Sequence, residues 1–168
     1  MAATRDILQS YRAPRAVFQR LLAAGQREDR AIAYLMAGCL VMFVAQWPGL
    51  QRMVLEDPDG PPLDARIGGA LLAWVFVMPL LAYCIAALAH IIARLFGGQG
   101  TWYGARLALF WGLLTASPLM LLHGLATGVI GSGAPLYATG LLWWLAFLGV
   151  WGICLHEAER PSAAANGA

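Results

Sequence analysis

The sequence predicts an all-α membrane protein, a four-span helical bundle preceded by an N-terminal amphipathic interfacial helix. The first reason is composition: 60% of the 168 residues are hydrophobic and 12% are charged, whereas a soluble domain carries about 25% charged residues. A soluble fold of this length leaves too much surface in water to hide so many apolar side chains. The second reason is that apolar residues form long runs, and residues 107–156 contain no Asp, Glu, Lys or Arg.

Residues 1–30 are predicted to be a cytoplasmic, basic, amphipathic segment. It holds six of the eleven arginines, and its apolar side chains recur every three or four positions, as on one face of a helix. Pro14 cannot donate a backbone hydrogen bond, so the helix is expected to break near Tyr11 and restart at Pro14. One hypothesis places the segment on the membrane, with lipid headgroups or a partner protein contacting Arg12, Arg15, Phe18 and Arg20. The other hypothesis is that it docks onto the bundle.

Four membrane spans are predicted, at about residues 31–47, 67–94, 105–130 and 136–155. A Trp-Pro-Gly sequence at residues 47–49 is expected to end the first span, and an acidic loop follows it. The second and third spans each hold an internal proline, Pro79 and Pro118, which is expected to kink the helix. Residues 31–157 then form one transmembrane domain, and residues 158–168 are expected to be a disordered tail.

The placement of the arginines predicts the topology. With the N-terminus in the cytoplasm, four spans put nine arginines on the cytoplasmic side and only Arg52 and Arg66 on the other. This satisfies the rule that cytoplasmic segments carry the excess of positive charge. We therefore expect both termini in the cytoplasm and, for a bacterial protein, a location in the inner membrane.

Small residues in the third span predict close helix packing. They recur at four-residue spacing at Ala108, Gly112 and Ala116, and again at Gly124 and Gly128. Such spacing lets two helix backbones approach closely inside a membrane. The stripe is expected to pack within the chain, and a homo-oligomer or partner interface is the alternative.

The sequence offers no set of residues for catalysis, for a cofactor or for a metal. The spans contain no carboxylate to act as a general base, and no known nucleophile or zinc motif occurs. A metal pair of His90 and His156 with Glu157 is a weak alternative, because four antiparallel spans bring both histidines to the cytoplasmic side. We therefore predict no enzyme activity, no cofactor and, because the basic segment leads directly into the membrane, no nucleic-acid partner.

The chain resembles the bacterial branch of the Ypt-interacting-protein (Yip) family of multi-span proteins. The residues that carry the resemblance are the Ala-Pro-Arg-Ala-Val-Phe sequence at 13–18, the Phe-Gly-Gly-Gln-Gly-Thr-Trp loop at 96–102, and Ala-Ser-Pro-Leu at 116–119. The resemblance implies a non-enzymatic membrane protein. Eukaryotic relatives are associated with Rab-type GTPases, and family members commonly have five spans, whereas four are predicted here. It supplies no catalytic residue.

Two functional hypotheses follow. The first is a membrane scaffold or interaction protein whose partners are lipids, another membrane or cytoplasmic protein, or a second copy of the chain. The second is a small oligomeric transporter or channel, because broken helices in membranes often form substrate sites. Its polar candidates would be Gln46, His90 and His123.

Overall fold

The structure, a computed structural model, describes residues 2–131 and 133–160 of the chain. Four of its helices are long and apolar enough to cross a membrane. They confirm the predicted all-α fold with four spans. The first span is α3 (Glu28–Glu56), the third is α6 (Trp102–Val129) and the fourth is α7 (Ala134–Ala158). The second span, Leu63–Leu95, consists of α4 (Leu63–Leu72), a π-helical turn (Ala73–Val77) and α5 (Met78–Leu95).

The third span lies at the centre of the bundle. Its most extensive contacts are with the first span, which runs parallel to it, and with the fourth span, which runs antiparallel. The second span contacts the third span through α5 and the first span through α4 and the π-helical turn, in which no residue is buried. The starts of the first and third spans and the ends of the second and fourth share one end of the bundle, which we call the arginine-rich end.

Two short helices precede the spans and form a helical hairpin. The first, α1 (Ala2–Ser10), is followed by a turn at residues 11–13, and α2 (Pro14–Ala23) begins with its proline at the first helical turn. The hairpin packs along the third and fourth spans at the arginine-rich end. The predicted helical segment therefore docks onto the bundle, as the second of the two sequence hypotheses proposed.

The first span is longer than predicted, because Pro48 lies inside the helix instead of ending it. The helix continues to Glu56, which shortens the acidic loop to residues 57–62. A proline inside a membrane helix is tolerated when neighbouring groups compensate for the lost hydrogen bond. Here Pro48 contacts Gly128, and Gly49 faces Thr127, so the Pro-Gly sequence forms a contact with the third span.

Pro79 lies in the first turn of α5, directly after the π-helical turn. A proline cannot donate to the carbonyl four residues before it, and a π-helical turn is one way in which a helix accommodates a local interruption. The irregular feature of the second span therefore lies just before the proline that was predicted to disturb it. Pro118 lies within the continuous helix α6.

The glycines of the third span lie against other helices of the same chain. Gly112 lies against the backbone and Cβ of Trp151 in the fourth span, and Gly124 lies against the backbone of Ala45 in the first. Gly128 contacts Pro48 in the same way, and any Cβ at Gly124 or Gly128 would overlap with these neighbours. Close approach of three spans thus depends on the absence of side chains at these positions.

The predicted disordered tail begins too early. Ala158 is the last residue of α7, and Glu159 follows it as a buried residue with several hydrogen bonds. Residues 158–160 therefore belong to the folded domain. The remainder of the predicted tail, residues 161–168, lies outside the described residues.

Candidate functional site

The hairpin is fixed to the third span by two side-chain hydrogen bonds at its turn. The indole Nε1 of Trp111 donates to the hydroxyl of Ser10 over 3.1 Å, and both side chains are fully buried. The hydroxyl of Tyr11 donates to the carbonyl of Thr115. Burial raises the pKa of Tyr11, which keeps the phenol protonated as that donor. The two bonds hold the turn of the hairpin against the middle of the bundle.

The apolar face of α2 forms part of the protein core. Val17 and Phe18 are fully buried and Leu21 is nearly so. Phe18 therefore does not belong to a surface that contacts lipid or a partner, contrary to its predicted role. Apolar residues at three- and four-residue spacing form one face of a helix, and that face can pack on a helix bundle or on a bilayer. The sequence alone therefore could not distinguish docking onto the bundle from binding to the membrane.

The opposite face of the hairpin presents arginines, and we call Arg12, Arg15 and Arg20 the arginine face. All three are exposed. Arg20 lies 2.9 Å from the carboxylate of Asp6. In the part of the chain that the structure describes, no carboxylate lies within ion-pair distance of Arg12 or Arg15. The hairpin thus presents uncompensated positive charge on a face that the packing of Phe18 holds in a fixed orientation.

A buried pair of ionisable side chains, His90 and Glu159, joins the second span to the end of the fourth. His90 Nδ1 lies 2.6 Å from Oε1 of Glu159, and the backbone amide of Gly100 donates to Oε2 over 3.0 Å. The ring of Trp102 lies 4.5 Å from the His90 ring between centroids. The other ring nitrogen of His90 is buried without a partner among the described residues. This favours the tautomer with its proton on Nδ1, where it donates to the carboxylate.

The glycines of the loop between the second and third spans allow this pair to form. A Cβ at Gly98 would lie 2.7 Å from Oε2 of Glu159 and 2.9 Å from the carbonyl of Ala93, and a Cβ at Gly100 would overlap with the carbonyl of Ala158. The amide of Gln99 also donates to the carbonyl of Glu159 over 3.0 Å. The glycine-rich loop is therefore wrapped closely around the end of the fourth span.

A second carboxylate, Glu157, ties the hairpin to the same end of the fourth span. Gln19 in α2 donates to its Oε1 over 2.5 Å, and Arg160 lies 3.2 Å from Oε2. An open cleft of about 630 Å³ lies between α2 and the glycine-rich loop, and Tyr103 and Thr101 are among its lining residues. Hairpin, loop and fourth span thus form one connected surface at the arginine-rich end.

The histidines singled out in the sequence do not come together. His90 pairs with Glu159 and not with His156, whose ring lies 3.5 Å from Arg160. His123 lies far along the third span and is 3.1 Å from the hydroxyl of Thr139. In the described ranges, no group of three His, Cys, Asp or Glu side chains could hold a metal ion. His90 and His123 also lie at different levels of the bundle, so they form no common site for a transported substrate.

Sequence reasoning missed three residues of this region: Ser10, Trp111 and Glu159. Glu159 was assigned to a disordered tail, although His90 is a polar residue in an otherwise apolar span and needs a partner. The need of His90 for a partner could have indicated this pairing, because Glu157 and Glu159 are the only carboxylates near the end of the fourth span. No pattern in the sequence indicated the pairing of Ser10 with Trp111, which are 101 residues apart.

A family model described as Yip1 domain matches residues 8–168 of the chain. No curated protein and no solved structure gives a match. The matched range begins in α1 and includes all four spans. The family model therefore includes the hairpin as well as the four spans, which pack against each other in the fold.

Proposed function

The chain belongs to the Yip1 domain family, and from this membership we propose that it is a non-enzymatic integral membrane scaffold or interaction protein. Its interaction surface would be the arginine face of the hairpin, in contact with lipid headgroups or with another protein. We further propose a bacterial inner membrane as its location, with both termini in the cytoplasm. The excess of arginine at one end of the bundle supports this orientation.

The observation that carries the proposal is the fixed presentation of uncompensated charge. Val17 and Phe18 anchor one face of α2 in the core, so Arg12 and Arg15 project from a rigid support rather than from a mobile terminus. Binding to a rigid surface avoids the entropic cost of ordering it. The polar side chains that would otherwise suggest chemistry, His90 and Glu159, are occupied with joining the second and fourth spans.

The test is copurification of the full-length protein from membranes in a mild detergent, followed by mass spectrometry of proteins and lipids. We expect a partner or lipid at near-equal amount, and its loss from the R12Q/R15Q double variant. Deleting the hairpin would be a poor test because Ser10, Val17 and Phe18 are buried. R94Q is the matched control, because Arg94 is an exposed arginine at the same end but outside the hairpin. Identical copurifying molecules for R12Q/R15Q and the unsubstituted protein would contradict the proposal.

The alternative of a small oligomeric transporter or channel stays a hypothesis. It would predict uptake or conductance in reconstituted vesicles that depends on Gln46, His90 or His123. Substitution of His90 would also disturb the fold through Glu159, so His123→Gln is the more informative variant. Vesicles that carry the unsubstituted protein and remain silent toward ions and small metabolites would count against this alternative.

A further inference from the structure

Charged residues mark two levels along the third span. At the arginine-rich end, Arg106 forms an ion pair with Glu28 at the start of the first span. At the opposite end, Arg52 lies 3.4 Å from the carbonyl of Gly128. The 22 residues from Arg106 to Gly128 rise by about 33 Å, which is close to the roughly 30 Å of a bilayer hydrocarbon core. By this spacing, the two levels correspond to the edges of a hydrocarbon core.

The turn of the hairpin lies inside the nearer edge. Ser10 bonds to Trp111, five residues or about 8 Å beyond Arg106, and Tyr11 bonds to Thr115, nine residues or about 13 Å beyond it. The length of α2 also places the turn of the hairpin inside this edge. Its ten residues rise by about 15 Å from Ala23, which lines the cleft near the start of the third span.

The exposed face of the hairpin is too polar for that depth. Arg12 and Arg15 are exposed there, and Gln9 and Gln19 lie on the exposed face of the same hairpin. An arginine in contact with acyl chains is costly, and the cost is reduced by snorkelling of the side chain, by local thinning of the bilayer and by water that enters beside the charge. Acyl chains are unfavourable neighbours for a face that carries two arginines and two glutamines, which favours an inward shift of the headgroup layer beside it.

We propose that the inner leaflet is locally thinned beside the hairpin, where Arg12 and Arg15 bind the phosphates of anionic phospholipids. This inference rests on the proposed function and selects lipid, rather than protein, as the molecule on the arginine face. The charge favours anionic lipid, because neither guanidinium has a carboxylate partner among the described residues. Arginine binds phosphate through paired hydrogen bonds in addition to charge.

The first measurement compares two probes at the same level of the protein. Ala16→Cys, exposed on the hairpin, and Leu81→Cys, 47% exposed on the second span, each carry one environment-sensitive fluorophore. Leu81 lies two residues deeper than Tyr83, whose ring packs against Phe110. Because Phe110 lies four residues inside Arg106, Leu81 lies about 9 Å inside that edge. Both variants are made with Cys84→Ser, which leaves only the buried Cys39 and Cys154. The full-length proteins are reconstituted in vesicles of phosphatidylcholine and phosphatidylglycerol that contain spin-labelled lipid quenchers at two depths.

We expect the Ala16 probe to be quenched best by the shallow label and the Leu81 probe by the deep label. When the shallow label is carried on phosphatidylglycerol, quenching of the Ala16 probe should be at least about twofold stronger than when it is carried on phosphatidylcholine. The R12Q/R15Q substitution should abolish this preference, and R12K/R15K, which keeps the charges, should retain most of it. The Leu81 probe should show no preference in any background.

Three outcomes would overturn the proposal. They are deep quenching of the Ala16 probe, equal quenching by the two lipids in the protein with both arginines, and a preference that survives R12Q/R15Q. None of these outcomes would by itself contradict the proposed scaffold or interaction function. If a protein copurified in an Arg12- and Arg15-dependent manner while the vesicles showed no lipid preference, the scaffold function would stand with a protein on the arginine face.

Discussion

The two halves of the third span are enclosed in different ways. From residue 103 to 117 every residue except Arg106 is buried, whereas from 118 to 129 only Gly124 and Ala126 are. The difference has two sources. Within the spans, α5 packs against this half of the helix, and outside them the turn of the hairpin covers it at Trp111 and Thr115. Near the arginine-rich end the third span is therefore held by side chains on all sides. In the other half it is held mainly where glycines let the backbone of the first span approach.

The enclosed half gives the largest predicted effect. Trp111→Ala would leave a large cavity where the third span meets the hairpin, and we expect it to lower the free energy of unfolding by about 3 kcal/mol or more. Thermal unfolding in detergent, followed by the loss of the monodisperse species on size exclusion, would measure this. Trp144→Ala is the control, because Trp144 is 52% exposed. Equal effects of the two variants would mean that the third span is not enclosed as described.

The open half is predicted to be sensitive to added volume instead. In Gly124→Ala the new Cβ would overlap with the carbonyl of Ala45, and we expect the free energy of unfolding to fall by about 2 kcal/mol. Gly149→Ala is the matched control, because no atom lies within 4 Å of a Cβ at Gly149. That control should be neutral or slightly stabilising, since alanine favours the helix over glycine. A stable Gly124→Ala protein would show that the first and third spans can separate at no cost.

Glu159 tests whether the arginine-rich end acts as one unit. In Glu159→Ala, the His90 ring and the Gly100 amide would lose their acceptor in a buried environment, and we expect a loss of about 1–2 kcal/mol. Amide hydrogen exchange of residues 97–102 should become faster in this variant. Glu56→Ala, which removes an exposed ion pair with Arg52 at the opposite end, should cost at most about 1 kcal/mol. Unchanged exchange in the loop would contradict its attachment to Glu159.

Ser10 gives the smallest predicted effect and the most specific one. Ser10→Ala leaves the Trp111 Nε1 without an acceptor, and we expect a loss of about 1 kcal/mol. A double-mutant cycle with Trp111→Phe isolates the hydrogen bond, because the second substitution removes the donor and keeps most of the ring. The two effects should be less than additive. Full additivity would show that hairpin and third span are not coupled through this bond.

The sequence predicted the span count because composition and the Pro- and Gly-rich breaks act locally. The sequence-based predictions were wrong or incomplete where a residue's role depends on neighbours that are distant in the sequence. Pro48 resembles a helix end, but its neighbour across the bundle is Gly128, so the helix continues through it. Phe18 has the spacing of a lipid-facing residue, and only the packing of α2 on the fourth span and the rest of the bundle makes it a core residue. The pairing of His90 with Glu159 depends on a loop shape that three glycines permit.

The hydrogen bond between Ser10 and Trp111 also sets an order of events during synthesis. The two residues are separated by 101 positions, so the first two spans leave the ribosome before the hairpin has a surface on which to dock. At a synthesis rate of about 5–20 residues per second, this interval lasts for several seconds. During it, the apolar face of α2 that carries Val17 and Phe18 is without its final neighbours. The earliest part of the chain to be made is consequently among the last to reach its native position.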